Sequence, residues 1–392
     1  MMYNCSVNVV QLNCQRSYDV MCDVGRVMTE KRVSVALLQE LYVSFGSANV
    51  LPSSWRVFTC ERAPSRAAVV VNDVAIEAMC VNVCTNEYGV CVWLKGDFGE
   101  MFVVSMYCRY GQDIEPYLSY MDRVHRYARG KCVIFGMDAN ATSPLWFSKG
   151  GGRSRENEMR GRSLEEWIVL NGMIVLNEPS EYYTFSGMRG QSDIDVTLVN
   201  DVKAGCRFEW EVKGDWSISD HNVVLIRMIS ECRHERLKSG WKRWVCKDVD
   251  WESYRSELIE TVRMNGIELM NETNVSRMAE CVTGWIQEVN GKYMKECERW
   301  SGRKIAWWTR ELSAQKSKVR KKRREWQRAR KNGSMDVEER KREYKRILND
   351  YKSRMRRVKE DNWKQFVSES SNLDPWGPVY RECVAVRPRG KD

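Results

Sequence analysis

The sequence predicts a layered α/β domain with helices outside its sheets, followed by a helical and strongly basic stretch. Three observations carry this. Short runs rich in Val, Ile and aromatic residues recur from Ser6 to about Met228, each bounded by Gly, Pro, Asn or Asp. Clear helical spacing interrupts them in two places. Beyond Ile229 the strand-like runs stop and positive charge collects: Ser301–Phe366 holds 24 Lys/Arg against 9 Asp/Glu, a net of +15, while all 392 residues together net +10.

Taken in order, the expected strands are Val7–Leu12, Val33–Leu38, Ala67–Val71, Cys91–Leu94, Met101–Tyr107, Cys132–Gly136, Ile194–Leu198 and Val223–Arg227. Cys80 and Cys84 lie in a further alternating, strand-like run. The helices are Asp19–Lys31 and Gly161–Asn171, the second carrying Leu164, Trp167 and Ile168 and ending at Gly172. Glu252–Met264 and Asn274–Val289 read as amphipathic helices. In the basic stretch Leu312, Val319 and Trp326 recur every seven residues, Asn332-Gly333 signals a turn, and Tyr344, Leu348, Tyr351, Met355 and Val358 share one helical side. Two basic helices in a hairpin fit this; a solvated helical linker is the other reading. The boundaries expected are a catalytic-type domain at 1–229, a helical connector at 230–305, the basic hairpin at 306–366 and an irregular tail at 367–392.

Composition excludes several classes. An apolar share of 43% is enough for a core, so the chain is not disordered throughout. Fifteen cysteines in a long chain without C-x-x-C do not read as a disulfide scaffold, and Cys232-Arg-His234 is too sparse for zinc. Met1–Ser17 lacks the pattern of a signal peptide, and no run reaches the ~18–20 apolar residues of a membrane span. A soluble protein of a reducing, intracellular compartment is expected. The concentrated basic stretch points to a polyanion, most often nucleic acid.

Polar residues gather at the ends of the strand-like runs. Glu40 follows Val35–Gln39, Asp138 and Asn140 follow Cys132–Met137, Asp195 follows Ser192–Ile194, and Asp220-His221 follows Trp216–Ser219. Each alone reads equally as an ordinary strand-end residue. Together they offer hard oxygen donors that suit Mg²⁺ or Mn²⁺, and a histidine beside carboxylates that suits handling a phosphate or a proton.

The ordered set Gln11-x-Asn13, Leu38-Gln39-Glu40, Ser105-Met-Tyr107, Gly136-Met-Asp138-Ala-Asn140-Ala141, Ser192-x-Ile194-Asp195 and Ser219-Asp220-His221-Asn222 resembles the signature of the exonuclease–endonuclease–phosphatase superfamily. It departs from the usual Gly-Asp-Phe-Asn by one residue in the fourth box, and has His221-Asn222 where His-Pro is common. Arg160-Gly161-Arg162-x-Leu164, Leu176-Asn177-Glu178, Tyr183-Thr184-Phe185 and Ile194-Asp195-Val-Thr197 resemble the non-LTR retrotransposon branch, most of all the clade that inserts into ribosomal DNA. Trp307-Trp308-Thr309-x-Glu311-Leu312, Trp363-x-x-Phe366 and Pro375-Trp376-Gly377 resemble the connector between endonuclease and polymerase; no aromatic-x-Asp-Asp box of a reverse transcriptase follows.

That resemblance implies a four-layered, DNase-like α/β sandwich and a metal-dependent phosphodiesterase that nicks a DNA target to leave a 3′-hydroxyl primer. Glu40 would bind the metal, helped by Asn13 and Asp220. Asp138 and Asn140 would position the attacking water. His221, oriented by Asp195, would contact the scissile phosphate, with Tyr107 adding a hydrogen bond unless it is simply a core tyrosine. Arg153, Arg155 and Arg160, and Lys321, Lys322, Arg323 and Arg324 of the basic helix, are candidates to grip nucleic acid; a solvated basic loop is the plainer reading of the first three. Expected partners are target DNA and the element's RNA, with no membrane and with the polymerase region missing; the expected compartment is the nucleus. A host abasic-site endonuclease or other phosphodiesterase of the same fold, and a decayed fragment that merely binds nucleic acid, remain as alternatives.

Overall fold

Residues buried on every side dictate the centre of the first sheet. β1 (Tyr3–Asn13) lies parallel to β2 (Val35–Gln39), pairing Val9 with Val35 and Asn13 with Gln39. All five residues of β2 are buried, as in a strand covered on both faces. β3 (Arg56–Phe58) and β4 (Ala67–Val71) extend this sheet beyond β2, and β13 (Cys206–Lys213) and β14 (Val223–Cys232) extend it on the other side of β1. The second sheet has the order β5 (Glu77–Cys80), β6 (Gly89–Gly96), β7 (Gly99–Tyr107), β8 (Cys132–Asp138), β12 (Asp195–Asn200), β9 (Met173–Val175). A short hairpin, β10 (Phe185–Gly187) with β11 (Gly190–Ser192), stands apart from both. The fold was obtained as a computed structural model, and the structure describes residues 3–43, 50–52, 54–61, 66–148, 155–187, 190–200, 206–232, 244–245, 249–270, 274–296 and 307–373.

The two sheets face each other across one apolar core. Val7, Val9, Val35, Leu37 and Val69 of the first meet Val90, Val92, Val103 and Ile134 of the second. Alternate residues point the other way. Val10, Leu12 and Leu38 meet Val24, Val27 and Met28 of α1 (Tyr18–Glu30). On the far side, Val104, Met106, Phe135 and Met137 pack with Tyr117, Leu118 and Met121 of α2 (Glu115–Tyr127) and Leu164 and Trp167 of α3 (Arg155–Leu170). The result is the expected helix–sheet–sheet–helix sandwich. Cys80 ends β5, whereas Cys84 sits in the short turn that follows rather than in a continuing strand.

A seam of side chains crosses the apolar interface just beneath one edge. Gln11 donates to the Met137 carbonyl (2.9 Å) and accepts from Thr197 (3.0 Å); Gln39 donates to Ser105 (3.0 Å), whose hydroxyl donates to the Leu38 carbonyl (2.8 Å). Each of these side chains is buried and has a partner, which limits the penalty of taking polar groups out of water. Gly136 permits the approach: a Cβ there would stand 2.6 Å from Leu37 and 3.0 Å from Gln11.

The chain divides into two compact units, Met1–Glu235 together with Lys304–Asp392, and Arg236–Arg303. The basic hairpin expected at 306–366 falls in the same compact unit as the sandwich. Its helices are α6 (Arg310–Lys331), capped by Thr309 on Leu312 N–H, and α7 (Val337–Leu373), which runs seven residues into the expected tail at 367–392. Trp326 stacks on Tyr344 between them, 5.4 Å between centroids. In the other unit, α4 (Trp251–Met270) and α5 (Val275–Tyr293) pair through Tyr254–Asn290 and Lys292–Glu257, and β15 (Trp244–Val245) pairs with β16 (Lys295–Glu296). Among the described residues no helix is long and apolar enough to cross a membrane.

Candidate active site

Strand direction builds the site. β1 and β2 are parallel, as are β7 and β8, so Asn13, Glu40, Tyr107 and Asp138 all fall at strand C-terminal ends. β12 and β14 run antiparallel to β8 and β1, so Asp195 and His221 enter at the same edge, with Asp195 directly opposite Asp138. Asn13 Nδ2 joins the sheets there. It donates to Asp138 Oδ2 at 2.8 Å and lies 3.4 Å from Glu40 Oε2. His221 Nδ1 lies 2.8 Å and 3.1 Å from the two oxygens of Asp195, and its Nε2 lies 3.9 Å from Asp138 Oδ2. Phe185 of β10 packs edge-on against the imidazole at 4.9 Å.

Backbone geometry holds this arrangement under strain. Glu40 and Asn140 are non-glycine residues at φ 45°, in the left-handed region that costs of order 1–3 kcal/mol. Main-chain bonds fix Glu40 from both sides: its N–H donates to the Arg66 carbonyl and its carbonyl accepts from Arg16 N–H, both 2.7 Å. Asn140 is held by its own amide, which donates to the Cys108 carbonyl (3.1 Å), while its N–H donates to Asp138 Oδ1 (3.2 Å). Thr184 Oγ1 accepts the N–H groups of Ile194 and Asp195, and Asn177 Nδ2 donates to the Asp195 carbonyl. Thus the Tyr183-Thr184-Phe185 and Asn177 boxes hold the Asp195 strand in register.

Burial and charge set the protonation states. Desolvation raises Asp138 well above the usual carboxylate range, with Asp195 adding to it and His221 opposing it. For His221, burial disfavours the imidazolium, but the Asp195 carboxylate, helped by Asp138 and Asp220, overcomes this and pushes the ring up to about 9. Tyr107 is half-buried; desolvation and the carboxylates of Glu40 and Asp138 raise it, and it hydrogen-bonds Glu40. It is therefore a neutral phenol at the strand end beside Asp138. Burial likewise raises Cys14 and takes Cys108 to about 12, so both are thiols without nucleophilic character.

Two sequence candidates change role. Arg160 is 4% exposed, and its guanidinium donates to the carbonyls of Ala139 (2.9 Å), Asn140 (3.1 Å) and Gln112. It shapes the segment after Asp138 and does not face nucleic acid. Gly161 beside it lets α3 touch Thr142, whose carbonyl would be 2.1 Å from a Cβ. Arg323 is 2% exposed and donates to the carbonyls of Ser217 (2.7 Å) and Asp220 (3.4 Å), which removes it from the nucleic-acid set. Lys322 pairs with Glu325 (2.9 Å) and Glu343 (3.0 Å) inside the hairpin. Arg155 and Lys321 are exposed and Arg324 is half-buried; Arg153 lies outside the described residues. Sequence reading missed Arg16, whose Nη2 sits 3.3 Å from Glu40 Oε1. Its place three residues after Asn13 was the available signal.

The metal candidates separate. Glu40 and Asp138 turn oxygens toward one amide nitrogen, an excess of negative charge that a hard cation would relieve. Asn13 presents its nitrogen to both carboxylates, while its oxygen accepts Gln15 N–H (2.8 Å). The Asp220 carboxylate lies against Gly187 of β10. Asp138, Asp195 and His221 also cluster closely enough for a metal, but His221 Nδ1 is occupied by Asp195.

This sandwich and its edge define an endonuclease-type phosphodiesterase of the exonuclease–endonuclease–phosphatase fold. Residues 101–225 match the family described as endonuclease-reverse transcriptase. The solved endonuclease domain of TRAS1, a telomere-specific non-LTR retrotransposon, is similar with a TM-score of 0.50 and 29% identity, covering 58% of this chain and 99% of that one. A Pol polyprotein of the type-1 retrotransposable element R1 of Bradysia coprophila is 38% identical over 87% of this chain. A putative 115 kDa protein of element R1DM of Drosophila melanogaster is 33% identical over 96% of it. The chain carries a non-LTR retrotransposon endonuclease, and spans about a third of the length of these curated relatives (35% and 37%).

Proposed function

We propose that the protein is a divalent-metal-dependent endonuclease that nicks a DNA target by hydrolysis and leaves a 3′-hydroxyl end to prime reverse transcription. The observation that carries this is Asp138, a buried carboxylate held between the Asn13 amide at 2.8 Å and the His221 imidazole at 3.9 Å. Asp138 takes a proton from the attacking water, and the backbone at Asn140 fixes the carboxylate's other oxygen. Protonated His221 keeps Nδ1 on Asp195, which leaves Nε2–H to donate to a phosphate oxygen. Tyr107, turning its one O–H from Glu40 to the phosphate, supplies a second donor, this one neutral. Mg²⁺ or Mn²⁺ bound through Glu40, with Asn13 and Asp220 as further candidates to hold it, would supply electrostatic stabilisation of the charge that grows on the leaving 3′-oxygen. Neither buried thiol competes as a nucleophile, which leaves water. Arg155, Lys321 and Arg324 are basic groups available to the DNA backbone or to the element's RNA, and a DNA target agrees with work in the nucleus.

Supercoiled plasmid tests the reading. The 392-residue chain with Mg²⁺ converts it to nicked circles, a chelator stops the conversion, and Asp138→Ala does not support it. Equal nicking by wild type and Asp138→Ala would refute the assignment.

A further inference from the structure

Helix α6 carries Lys316, Arg323 and Arg330 at intervals of seven residues. Seven residues make two turns with a drift of about 20°, so the three point in nearly one direction. Leu312, Val319 and Trp326 each precede one of them by four positions, and all three are buried on that same face. The basic heptad reaches the sandwich, while Trp326 of the apolar heptad stacks on Tyr344 of α7. Lys316 pairs with Asp23 of α1, both about 1–2% exposed. Arg330 Nη1 donates to the carbonyls of Gly187 (2.8 Å) and Gly190 (3.3 Å), at the two ends of the β10–β11 turn. Arg323 reaches the Ser217 and Asp220 carbonyls, in the segment that leads directly into His221.

These grips converge on one side chain. The Asp220 carbonyl that receives Arg323 also accepts the N–H of Ser186 in β10 (2.8 Å), and Phe185 in the same strand packs on the His221 ring. Ser219 Oγ accepts His221 N–H (3.2 Å) and donates to the Asn13 carbonyl (2.8 Å). A guanidinium buried among main-chain carbonyls gives up much hydration, so the structure is organised around it. We propose that Arg323 is a positioning residue for the nuclease reaction: it fixes the Ser217–Asp220 segment, and through it the imidazole of His221. The connector is thereby a working part of the site and not a tether. This rests on the nuclease reading above.

The test uses the full chain with Arg323→Met, which keeps length and burial but removes the donors, and Arg323→Lys, which restores one. Three readouts are taken: kcat and KM for plasmid nicking, the thermal midpoint, and the imidazole resonances. The chain has only three histidines, so His221 is assigned by comparison with His221→Asn. Displacement of a catalytic group by about 1 Å is worth up to ~100-fold in rate. The expected result is a kcat lower by about 10–100-fold with KM within about twofold, a moved His221 resonance, and partial recovery in Arg323→Lys. An unmoved resonance with unchanged kcat overturns the proposal. So does a lower kcat with a higher KM and a lower thermal midpoint but no specific change at His221, which is what a merely detached hairpin produces. If wild type itself does not nick, the nuclease reading fails, and the resonance alone then decides whether Arg323 sets the imidazole.

Discussion

Replacing Asp195 with Asn keeps the shape of the buried pair and removes its charge. His221 Nδ1 lies 2.8 Å and 3.1 Å from the two Asp195 oxygens, and that carboxylate is the main reason the ring is pushed from 6.5 up to about 9. Without it, burial pulls the ring back down toward its ordinary 6.5, with only Asp138 and Asp220 left to oppose it. At pH 8 a group titrating near 9 is ~90% protonated and one near 6.5 is ~3% protonated, so the imidazolium population falls about 30-fold. The sign is definite: the imidazolium is lost as pH rises through the ring's pKa, and the variant loses it earlier. Asp195→Asn is therefore expected to nick up to about 30 times more slowly at pH 8, with the deficit narrowing to well under about twofold at pH 6. Removing Asp195 also lowers Asp138, which helps the variant further on the acid side. Initial rates of plasmid nicking from about pH 6 to 9, as a ratio to wild type, measure this. A deficit of the same size at every pH would show that ionisation of His221 is not what Asp195 governs.

Other outcomes follow from the same geometry. Wild-type rate is expected to rise with pH as buried Asp138 ionises and to fall as His221 deprotonates near 9, a bell that initial rates across pH display. His221→Ala lowers nicking by ~10²–10⁴ while circular dichroism stays unchanged. Lys316→Met takes a buried cation from Asp23, leaving Arg26 at 3.2 Å and the nearby charge of Arg320, and is expected to destabilise by up to about 3 kcal/mol, seen as a lower denaturation midpoint. Neutralising exposed Lys318, Lys321, Lys345 and Arg357 reduces the slope of log affinity against log salt by about 0.9 for each phosphate no longer neutralised; an unchanged slope shows that face to be only solvated. Nicked plasmid is extended by a DNA polymerase without end repair, because the product is a 3′-hydroxyl; a need for prior phosphatase treatment would contradict the hydrolytic step.

The central strands were legible because burial on both faces leaves little choice of residue: Ala67–Val71 coincides with β4. Edge strands were not. β13 alternates charged residues with aromatics, and its pairing with β14 comes from position in the sheet and not from local pattern. Helix α2 lacks a side-chain cap and opens on Glu115-Pro116, although Tyr117, Leu118, Met121 and Val124 do repeat at helical spacing. That the candidate residues gather at one edge was readable because they sit in ordered boxes at strand ends. What charge alone hid was direction: Arg160 and Arg323 look like their neighbours in the sequence, and only packing shows that both spend their donors on carbonyls inside the protein. The connection of α6 to His221 spans over a hundred residues, beyond any local signal.

The buried seam of Gln11, Gln39, Ser105 and Thr197 decides how this site tolerates change. Two sheets in purely apolar contact can creep past each other, because dispersion has no direction and a methyl fits many hollows. Amide and hydroxyl groups admit few alignments. The seam thus works as a key cut between two plates: Asn13 and Glu40 ride on one, Asp138 and Asp195 on the other. Drift among the valines and leucines of the core can proceed with the catalytic spacing intact. Loss of a single glutamine would free the plates to slide while leaving the fold, its hydrophobic content and every catalytic side chain in place.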